Sequence, residues 1–534
     1  MTKTSPDVVI VGGGHNGLAA AAYLAQAGKN VLLLERDDHT GGAAVSAWAF
    51  EGVDARLSRY SYLVSLLPKR IIEDLKLDVE LARRRYSSYT PDPGHPGTGL
   101  LVDHGDDDAT QDSFIRVGAA EDIEAWHAFY SDTARVAQAL FPTVLEPLPT
   151  RSEVRRLLAD DALFAALFER PLGETITARF TNDLVRGVVL TDGLIGTFTS
   201  ADDPSLDANR CFLYHVIGNQ TGDWDVPVGG MGAVTGALAN AATEAGATLV
   251  TDATVTRVTP DGHVRYTLDG VEHEVTARHV LANVAPYILE QLLAEGAANE
   301  PSPAEASGAD ASAIVRPEGA QVKVNLMLKR LPRLLDTTVA PEAAFGGTFH
   351  INETYTQLQT AHDEAEAGGI PRLLPCEIYC HSLTDPSILS PELAASGAHT
   401  LTVFGLHAPD RLLTAENNDH MRARYQQAVL DSLNSVLAEP IEDVLMTDAH
   451  GELCIETKTT LDIEEALNMP GGNIFHGPLD WPFAEDDARL ETPAERWGVA
   501  TRHPRILLCG SGAVRGGAVS AIAGHNAAMA VLES

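Results

Sequence analysis

The sequence is poor in cysteine and in positive charge, and both shortages exclude classes of function. Its five cysteines form no CxxC motif, so neither a dithiol redox pair nor a metal site is predicted. Lys and Arg number 38 against 74 for Asp and Glu, which gives a formal net charge of -36. Because phosphate recognition needs clustered cations, we expect no nucleic-acid partner and no strong attraction to anionic lipid.

Long apolar runs are also absent. No segment reaches the ~20 consecutive apolar residues that span a bilayer. The first predicted strand begins at Asp7, which leaves no room for a cleavable signal peptide. We therefore expect a cytoplasmic, soluble protein with buried free thiols and with membrane contact that is at most peripheral.

The start of the chain contains a strand, a glycine turn, a helix and a second strand. The apolar run Asp7–Val11 predicts a buried parallel strand, Gly17–Ala27 predicts a helix, and Val31–Glu35 predicts a second buried strand. This order predicts a dinucleotide-binding βαβ unit. The 534 residues exceed what one core usually organises, so we expect two intertwined domains.

The turn after the first strand satisfies G-x-G-x-x-G. Gly12 permits the sharp turn, Gly14 lets the backbone approach a pyrophosphate, and Gly17 lets the helix pack closely on the strand. The free N–H groups at the start of the helix favour the negative charge of a pyrophosphate. Glu35 ends the second strand, where its carboxylate can accept hydrogen bonds from ribose hydroxyls.

The remaining chain alternates between loop, helical and strand-rich segments. Residues 92–112 are rich in Gly, Pro and Asp and predict a loop, whereas 119–185 is largely helical. Residues 296–319 are poor in apolar side chains and predict a mobile surface insertion. A glycine-rich turn and a helix over Ala518–Leu532 close the chain. Other strands are predicted at Thr248–Val250, Thr254–Val258, His263–Leu268, His273–Ala277, Val280–Asn283, Gln321–Leu328 and Ile506–Cys509.

Further glycine segments resemble a known flavoprotein family. The pair Gly41-Gly42, shortly after Glu35, resembles the loop of the glutathione-reductase-type FAD family in its amine-oxidase and phytoene-desaturase branch. In that branch the loop runs along the pyrophosphate toward the flavin. The segment 507–520 (LLCGSGAVRGGAVS) is similar to the C-terminal FAD motif of the same family. A helix N-terminus there can stabilise negative charge on the N1–C2=O edge of a reduced flavin.

Three segments from the middle of the chain narrow the resemblance. Residues 226–232 (VPVGGMG), 280–286 (VLANVAP) and 470–476 (PGGNIFH) are similar to segments of the phytoene-dehydrogenase-related subgroup. That subgroup includes the pyridine-nucleotide-disulphide-oxidoreductase-domain flavoproteins. The resemblance extends over nearly the whole chain and is weakest between about residues 90 and 215.

The resemblance implies an α/β fold in which a glutathione-reductase-type Rossmann FAD-binding domain carries an inserted α+β substrate domain. Residues 1–90, 226–290 and 481–534 are assigned to the FAD-binding domain. Residues 91–225, largely helical, and 291–480 are assigned to the substrate domain. The residues implied to bind FAD are Gly12, Gly14, His15, Asn16, Gly17, Glu35, Arg36, Gly41, Gly42, Ala43, Val255, Gly510, Gly517, Ala518 and Val519.

Two residues are candidates for catalysis. Lys323 lies in the predicted strand Gln321–Leu328, and amine-oxidase relatives use a lysine in such a strand to hold a water near flavin N5. The same alternation also fits a lysine on an exposed strand face. His476 follows a Pro-Gly-Gly turn and matches a subgroup position on the substrate side of the flavin, although a loop histidine bonded to backbone explains it equally well.

Other residues are weaker candidates for the same site. His215 is a further candidate, with a structural role favoured. The stretch that contains Arg59, Tyr60 and Tyr62 either lines the pocket or packs one domain on the other. Because flavin chemistry is hydride transfer carried by the cofactor, no catalytic triad is expected.

The function predicted first is a dehydrogenase or desaturase that acts on a small apolar organic substrate, or the reverse saturation. An amine-oxidase-like enzyme is the alternative, with Lys323 as its best support, and a redox-neutral flavin isomerase or a flavin-stabilised interaction protein is a third. The electron acceptor can be oxygen, a quinone or a nicotinamide. The sequence leaves both a monomer and a homodimer open.

Overall fold

The computed structural model describes residues 5–294 and 314–534. Most of the insertion predicted over 296–319 lies outside the described residues. The strands are β1 (Val8–Val11), β2 (Val31–Leu34), β3 (Ser46–Trp48), β4 (Arg56–Ser58), β5 (Leu81–Arg83), β6 (Tyr86–Asp92), β7 (His95–Asp103), β8 (Asp225–Pro227), β9 (Thr248–Val250), β10 (Ala253–Val258), β11 (His263–Leu268), β12 (Val271–Thr276), β13 (His279–Ala282), β14 (Gln321–Leu328), β15 (Thr348–Ile351), β16 (Cys376–Tyr379), β17 (His399–Leu406), β18 (Ile455–Lys458) and β19 (Ile506–Leu508).

The helices are mostly short, and many of them lie between β7 and β8. They are α1 (His15–Gln26), α2 (Lys69–Asp74), α3 (Asp107–Arg116), α4 (Ile123–Leu140), α5 (Arg151–Leu158), α6 (Asp161–Phe168), α7 (Leu172–Arg179), α8 (Asp183–Thr191), α9 (Asp207–Val216), α10 (Met231–Glu244), α11 (Pro286–Ala294), α12 (Pro341–Ala344), α13 (Tyr355–Glu366), α14 (His381–Thr384), α15 (Pro391–Ser396), α16 (Asn418–Asn434), α17 (Ile441–Val444), α18 (Thr460–Leu467), α19 (Pro493–Arg496) and α20 (Ile522–Leu532).

A five-stranded parallel sheet brings together the two ends of the chain. Its order is β19-β13-β1-β2-β9, with β1 in the centre. Val8 and Ile10 pack on the helices of one face, whereas Val9 and Val11 pack on the other face, as the two-residue period of a strand requires. The Rossmann-type α/β architecture predicted from the sequence is thereby confirmed.

Different layers cover the two faces of this sheet. Helices α1, α10 and α20 pack together on one side. The antiparallel sheet β10-β11-β12 covers the other side through Val258 and Val264. Because β1, β2 and β13 are buried on both faces, they consist of apolar runs with no polar alternation.

A second, seven-stranded sheet forms the framework of the substrate part. Its order is β18-β14-β17-β16-β15-β6-β7, antiparallel except where β6 lies beside β15. The division expected at residue 90 falls inside β6, which belongs to this sheet. Helix α16 covers the sheet and closes a separate hydrophobic core. The substrate part is therefore α+β, with a helical portion over α4–α8.

The loop predicted over residues 92–112 is wrong. A tight turn at Gly94 joins β6 to β7, and helix α3 follows with Asp106 as its N-cap. A Cβ on Gly99 would lie 2.6 Å from the ring of Tyr89, so the glycine makes room for an aromatic side chain on the neighbouring strand. Gly99 therefore serves strand packing, whereas Gly94 lies in the turn between the two strands.

The other predicted elements agree with the structure, with ends that differ by at most two residues except at the last helix. The helical segment over 119–185 and the predicted helix at Ile123–Leu140 are confirmed. The last helix begins at Ile522, four residues after the predicted Ala518, because Ala518 (φ 59°) and Ala521 (φ 60°) have left-handed backbone conformations. The five cysteines are free and buried. Within the described ranges, every helix is too short or too polar to cross a bilayer.

Candidate functional site

The glycine turn after β1 is built against residues from two other strands. A Cβ on Gly12 would lie 2.7 Å from the carbonyl oxygen of Asn283, and one on Gly17 would overlap the Gly12 carbonyl. Helix α1 begins at Gly14 without a side-chain cap, which leaves its first N–H groups available to a ligand. The turn therefore has the close backbone approach expected of a phosphate site.

Glu35 holds this turn in place. Its carboxylate accepts a hydrogen bond of 2.6 Å from the Gly13 N–H and one of 3.0 Å from the Asp37 N–H. The side chain is buried, but it still lines the open groove at the end of β2. One carboxylate therefore both stabilises the glycine turn and faces the position where a ribose would bind.

A long groove begins at this turn and follows the carboxyl ends of the parallel strands. We call it the dinucleotide groove; its volume is about 1050 Å³, open solvent included, and its wall includes eight of the predicted cofactor residues. These eight are Gly12, Gly14, His15, Glu35, Arg36, Gly42, Ala43 and Val255. In open α/β sheets a dinucleotide binds outside the carboxyl ends of the strands, which is where the groove lies.

The far part of the groove is formed by Val255 and Arg36. The pairing of β10 with β11 slips between Val255 and Arg257, so the local backbone leaves the regular ladder. Arg36 donates a hydrogen bond of 2.6 Å to the carbonyl of Ala466 in the last turn of α18. This contact ties the nucleotide part to the substrate part across the groove.

The loop after Glu35 is fastened to the first glycine turn. Gly41 donates its N–H to the Gly13 carbonyl at 2.9 Å, and its φ of 130° is a conformation for glycine. Gly42 has a φ of 57°, and a Cβ there would lie 3.3 Å from the Cα of Gly14. Both glycines of the pair therefore allow two backbone segments to run side by side along the groove.

The dinucleotide groove lies next to a second space that is largely apolar. This apolar cavity has a volume of about 1010 Å³, open solvent included, and shares five wall residues with the groove. The shared residues are His15, Ala43, Leu467, Met469 and Ser511. Ala518 and Val519, which the sequence assigned to the C-terminal motif, lie on its wall as well. The two ends of the chain and the substrate part therefore meet at one junction.

Lys323 lies on the wall of the apolar cavity and is not on an exposed strand face. Its side chain is buried, and Nζ donates a hydrogen bond of 3.3 Å to the carbonyl of Ser58. The ring centres of Phe404 and Tyr62 lie 5.0 and 5.8 Å from Nζ. Burial lowers the pKa of Lys323 well below its usual range, which favours a neutral amine.

His15 and His476 lie on the wall of the groove. His15 Nε2 donates to the carbonyl of Ala518 at 3.1 Å, and burial lowers the pKa of His15 to about 4. Burial also lowers the pKa of His476 to about 4. His476 Nδ1 has no hydrogen-bond partner among the described residues. Both rings are therefore neutral near pH 7, and His476 keeps one nitrogen available to a ligand.

Aromatic residues form much of the apolar wall. They are Tyr60, Tyr62, Tyr214, Trp224, Phe404 and Phe475. His215 stacks near Trp224, with ring centres 5.1 Å apart, at the border with a neighbouring polar cavity. Arg59 is held in an ion pair with Glu456 of β18 and is not part of the wall. Tyr60 and Tyr62 thus line the cavity, whereas Arg59 ties one part of the chain to the other.

Five of the residues predicted to bind the cofactor lie behind the walls of both spaces. They are Asn16, Gly17, Gly41, Gly510 and Gly517. A Cβ on Gly510 would lie 3.0 Å from Asn283 Oδ1, and one on Gly517 would lie 2.7 Å from Leu479. Their direct contact with a cofactor stays a prediction, while the structure shows them packed against neighbouring residues.

Sequence reasoning missed several residues of the site. Asn283 donates from Nδ2 to the Gly12 carbonyl at 3.0 Å and lines the groove. Its position directly after a buried strand next to β1 is a signal that the sequence contained. Ser511, Gln321 and Met469 also lie on the walls, but they are brought there by the crossing of the two parts of the chain.

Comparison with known proteins gives relatives for the whole chain. Residues 10–66 match the model of the NAD(P)-binding Rossmann-like domain. The chain is 54% identical over 537 residues to an uncharacterized protein of Mycobacterium tuberculosis, covering 98% of this chain and 97% of that protein. It is 30% identical over 573 residues to pyridine nucleotide-disulfide oxidoreductase domain-containing protein 2 of Rattus norvegicus, covering 98% and 93%.

A solved structure shows the same overall fold. A mutant of putrescine oxidase superimposes with a TM-score of 0.57 at 15% sequence identity, covering 99% of both chains. At this identity the likeness concerns the fold alone. It agrees with the dinucleotide-binding sheet and the attached substrate sheet described above.

Proposed function

Since the chain belongs to the family of pyridine nucleotide-disulfide oxidoreductase domain-containing protein 2, we propose that it is an FAD-dependent dehydrogenase or desaturase acting on an apolar organic substrate. It is an oxidoreductase with a dinucleotide-binding Rossmann domain and an amine-oxidase fold. The observation that carries the proposal is that the dinucleotide groove and the apolar cavity lie side by side and share five wall residues.

The groove has the chemistry that FAD requires. The uncapped start of α1 favours a pyrophosphate, and Glu35 faces a ribose position. The buried His476 Nδ1 has no partner in the described chain and can bond a polar group of the cofactor. FAD is long enough to place its ring system beyond the groove, and the apolar cavity begins where the groove ends.

When bound, FAD would supply N5 as the position that exchanges hydride with the substrate. The aromatic and aliphatic wall would bind an apolar substrate and exclude water from it. Lys323, neutral because it is buried, can hold or move a proton at Nζ beside Tyr62 and Phe404. The Ser58 carbonyl orients this amine.

An amine-oxidase-like reaction is the second candidate, and one observation favours it. The buried Lys323 lies beside the contacting rings of Tyr62 and Phe404 on the cavity wall, where an amine-oxidase-like enzyme would use it to hold a water near the flavin. The low aromatic content, 6% of the chain, gave no means of placing these rings from the sequence. Electrons would then pass to oxygen, whereas a dehydrogenase would use a quinone or a nicotinamide.

Reoxidation of the reduced protein separates the two candidates. The purified holoprotein is reduced with light in the absence of oxygen, and the flavin absorbance is followed after mixing with oxygenated buffer. We expect reoxidation no faster than that of free reduced flavin, and faster reoxidation with a quinone or nicotinamide. Reoxidation by oxygen much faster than that of free flavin would favour the oxidase. Purified protein that neither contains nor binds FAD would contradict both.

A further inference from the structure

A buried group of one histidine and two glutamates lies outside the cofactor site. Its members are His350, Glu353 and Glu377, and one ligand atom from each lies within 4.8 Å of the other two. All three side chains are buried, and Glu353 has no exposed surface at all. We call this group the His–Glu cluster. It lies in the seven-stranded sheet near the end of helix α8.

Strand pairing explains why these side chains meet. His350 on β15 is directly opposite Glu377 on β16, so both side chains project from the same face of the sheet. Asn352 follows with a left-handed φ of 59°, which ends the strand and turns the chain at Glu353. The Asn352 amide is held by the carbonyl of Leu374 at 3.2 Å. The three groups are therefore placed by the backbone.

Glu353 has no partner that would satisfy its carboxylate. Neither of its oxygens has a hydrogen-bond partner among the described residues, although the group is wholly buried. The nearby Thr191 hydroxyl donates its single proton to Glu377 at 2.9 Å. A buried carboxyl group without partners is costly in either protonation state, because its lost hydrogen bonds to water are not replaced. Such a group indicates a ligand that would satisfy it.

The other two members are oriented by neighbours in the way that metal ligands are. Glu377 accepts hydrogen bonds from Thr191 and from the hydroxyl of Tyr379 at 2.5 Å. His350 Nδ1 lies 3.0 Å from the hydroxyl of Thr90, which fixes the plane of the imidazole ring. Outer partners of this type set the tautomer and direction of ligating side chains.

Charge in this region is unbalanced. Asp192 interacts electrostatically with both glutamates, so three carboxyl groups lie close together. Arg84 interacts with Glu377 and Asp192, and His215 interacts with Asp192 as well. Burial raises the pKa of both Glu353 and Glu377, and their mutual repulsion adds to the effect for Glu353. Three ionised carboxylates would carry more negative charge than Arg84 balances, and a divalent cation would supply two positive charges.

We propose that His350, Glu353 and Glu377 bind a divalent first-row transition metal ion, with Zn²⁺ as the representative case. Zinc accepts imidazole nitrogen and carboxylate oxygen together, whereas Mg²⁺ and Ca²⁺ prefer oxygen ligands alone. Two ligand atoms about 2.1 Å from one ion lie roughly 3–4 Å apart, so a small contraction of the cluster brings its atoms into range. A water completes the coordination.

The ion has a path to the cluster from the polar cavity. His350, Asp192 and Arg84 all line that cavity. The cavity wall also contains the exposed residues Arg83 and His104, so it reaches solvent. The Glu377 partner Tyr379 stacks on Tyr62, with ring centres 4.0 Å apart, and Tyr62 lines the apolar cavity. The metal would therefore stabilise the wall behind the proposed substrate site.

The test is zinc binding to the holoprotein after treatment with EDTA and removal of the chelator. Equilibrium dialysis against micromolar Zn²⁺ should give one tightly bound ion per chain. The variant Glu353→Gln keeps the shape of the side chain and should lose that ion, with affinity reduced at least 100-fold. The variant Glu392→Gln changes an exposed glutamate of α15 and should bind zinc as the wild type does.

A second measurement uses the wild type alone, in case the variant folds poorly. Crystals of the zinc-treated holoprotein, measured at the zinc absorption edge, should show an anomalous peak between His350, Glu353 and Glu377. No peak there, or equal zinc binding by wild type and Glu353→Gln, would overturn the proposal. So would a wild type that takes up no zinc at micromolar concentration, since protons alone would then neutralise the two glutamates.

Discussion

His15 Nε2 donates a hydrogen bond of 3.1 Å to the carbonyl of Ala518, across 503 residues of sequence. The contact joins the first glycine turn of the chain to its last loop. Ala518 has a left-handed φ of 59° and lies in the loop before the helix that begins at Ile522. The dinucleotide groove and the apolar cavity meet at this contact, since His15 lies on both walls.

Gly14→Val should abolish FAD retention. Gly14 lines the groove at the start of α1, and its own Cβ would lie 3.2 Å from Asn283 Nδ2. A branched side chain there occupies the space of a pyrophosphate. We expect the flavin content, measured as the ratio of absorbance near 450 nm to that near 280 nm, to fall below about a tenth of the wild-type value, a loss of more than ~1.4 kcal/mol in binding.

A second glycine serves as the control for this variant. Gly236→Ala in α10 meets no atom within 4 Å and should keep full flavin content. Normal flavin in Gly14→Val would show that the cofactor does not approach this turn.

Lys323→Met should slow the reoxidation of the reduced protein by a quinone or nicotinamide acceptor more than it weakens FAD binding. The substitution keeps the buried chain length but removes the amine that bonds the Ser58 carbonyl. We expect reoxidation about 10–100-fold slower, which corresponds to roughly 1.4–2.7 kcal/mol, with flavin content near normal. Stopped-flow absorbance measures the rate. Lys329→Met, at an exposed position just beyond the same strand, should leave the rate unchanged. Equal rates in the wild type and in both variants would show that Lys323 has only a structural role.

His407 should make the protein sensitive to acid. Burial lowers the pKa of His407 to about 3, and neither ring nitrogen has a partner within the described ranges. The unfolded chain protonates near pH 6.5, so between about pH 6.5 and pH 3 the unfolded state binds more protons. Stability therefore falls as the pH falls, by about 2 kcal/mol from this residue between pH 7 and pH 5.

The variant His407→Asn tests that dependence. Asparagine tolerates the left-handed φ of 54° at this position, and it does not titrate. Denaturant unfolding at pH 7 and pH 5 should show a smaller loss of stability in the variant than in the wild type. His420→Asn, at an exposed site, should lose as much stability between pH 7 and pH 5 as the wild type does. An unchanged slope in His407→Asn would mean that this histidine is protonated in the folded state.

Arg515→Lys should destabilise the protein despite conserving charge. The buried guanidinium donates to the carbonyls of Thr143 and Glu146, each at 2.8 Å, and to that of Trp497 at 3.3 Å. A lysine ammonium is a single point and cannot reproduce this spread of donors. Losing charged hydrogen bonds to buried carbonyls costs about 2–4 kcal/mol in the free energy of unfolding.

Thermal and denaturant unfolding measure the effect of Arg515→Lys. Flavin content should fall with it, because Arg515 precedes the loop that lines the apolar cavity. Arg502→Lys, on the surface, is the matched control. An unfolding midpoint of Arg515→Lys equal to that of the wild type would show that one ammonium group can satisfy the three carbonyls.

Local sequence was enough to predict the nucleotide sheet. Strands β1 and β2 and helix α1 follow from apolar runs bounded by glycines, because residues buried on both faces leave no alternation. Seven of the eight predicted cofactor residues that line the groove lie between Gly12 and Ala43, within this one short unit. Val255, the eighth, comes from β10. The loop prediction for residues 92–112 was wrong because it rested on the glycine content of the segment. Gly99 instead lies in a strand, where it makes room for Tyr89 of the neighbouring strand.

The sequence by itself determined the dinucleotide unit, the position of its acid and the presence of a lysine in a strand. Only the tertiary structure decided that Lys323 is buried, that aromatic residues from distant segments share one cavity, and that His350 faces Glu377. The physical reason is the distance along the chain between the residues that determine each feature. Turns and strands depend on neighbours along the chain, whereas burial, pKa and side-chain clusters depend on which strands pair, and that pairing joins residues far apart in sequence.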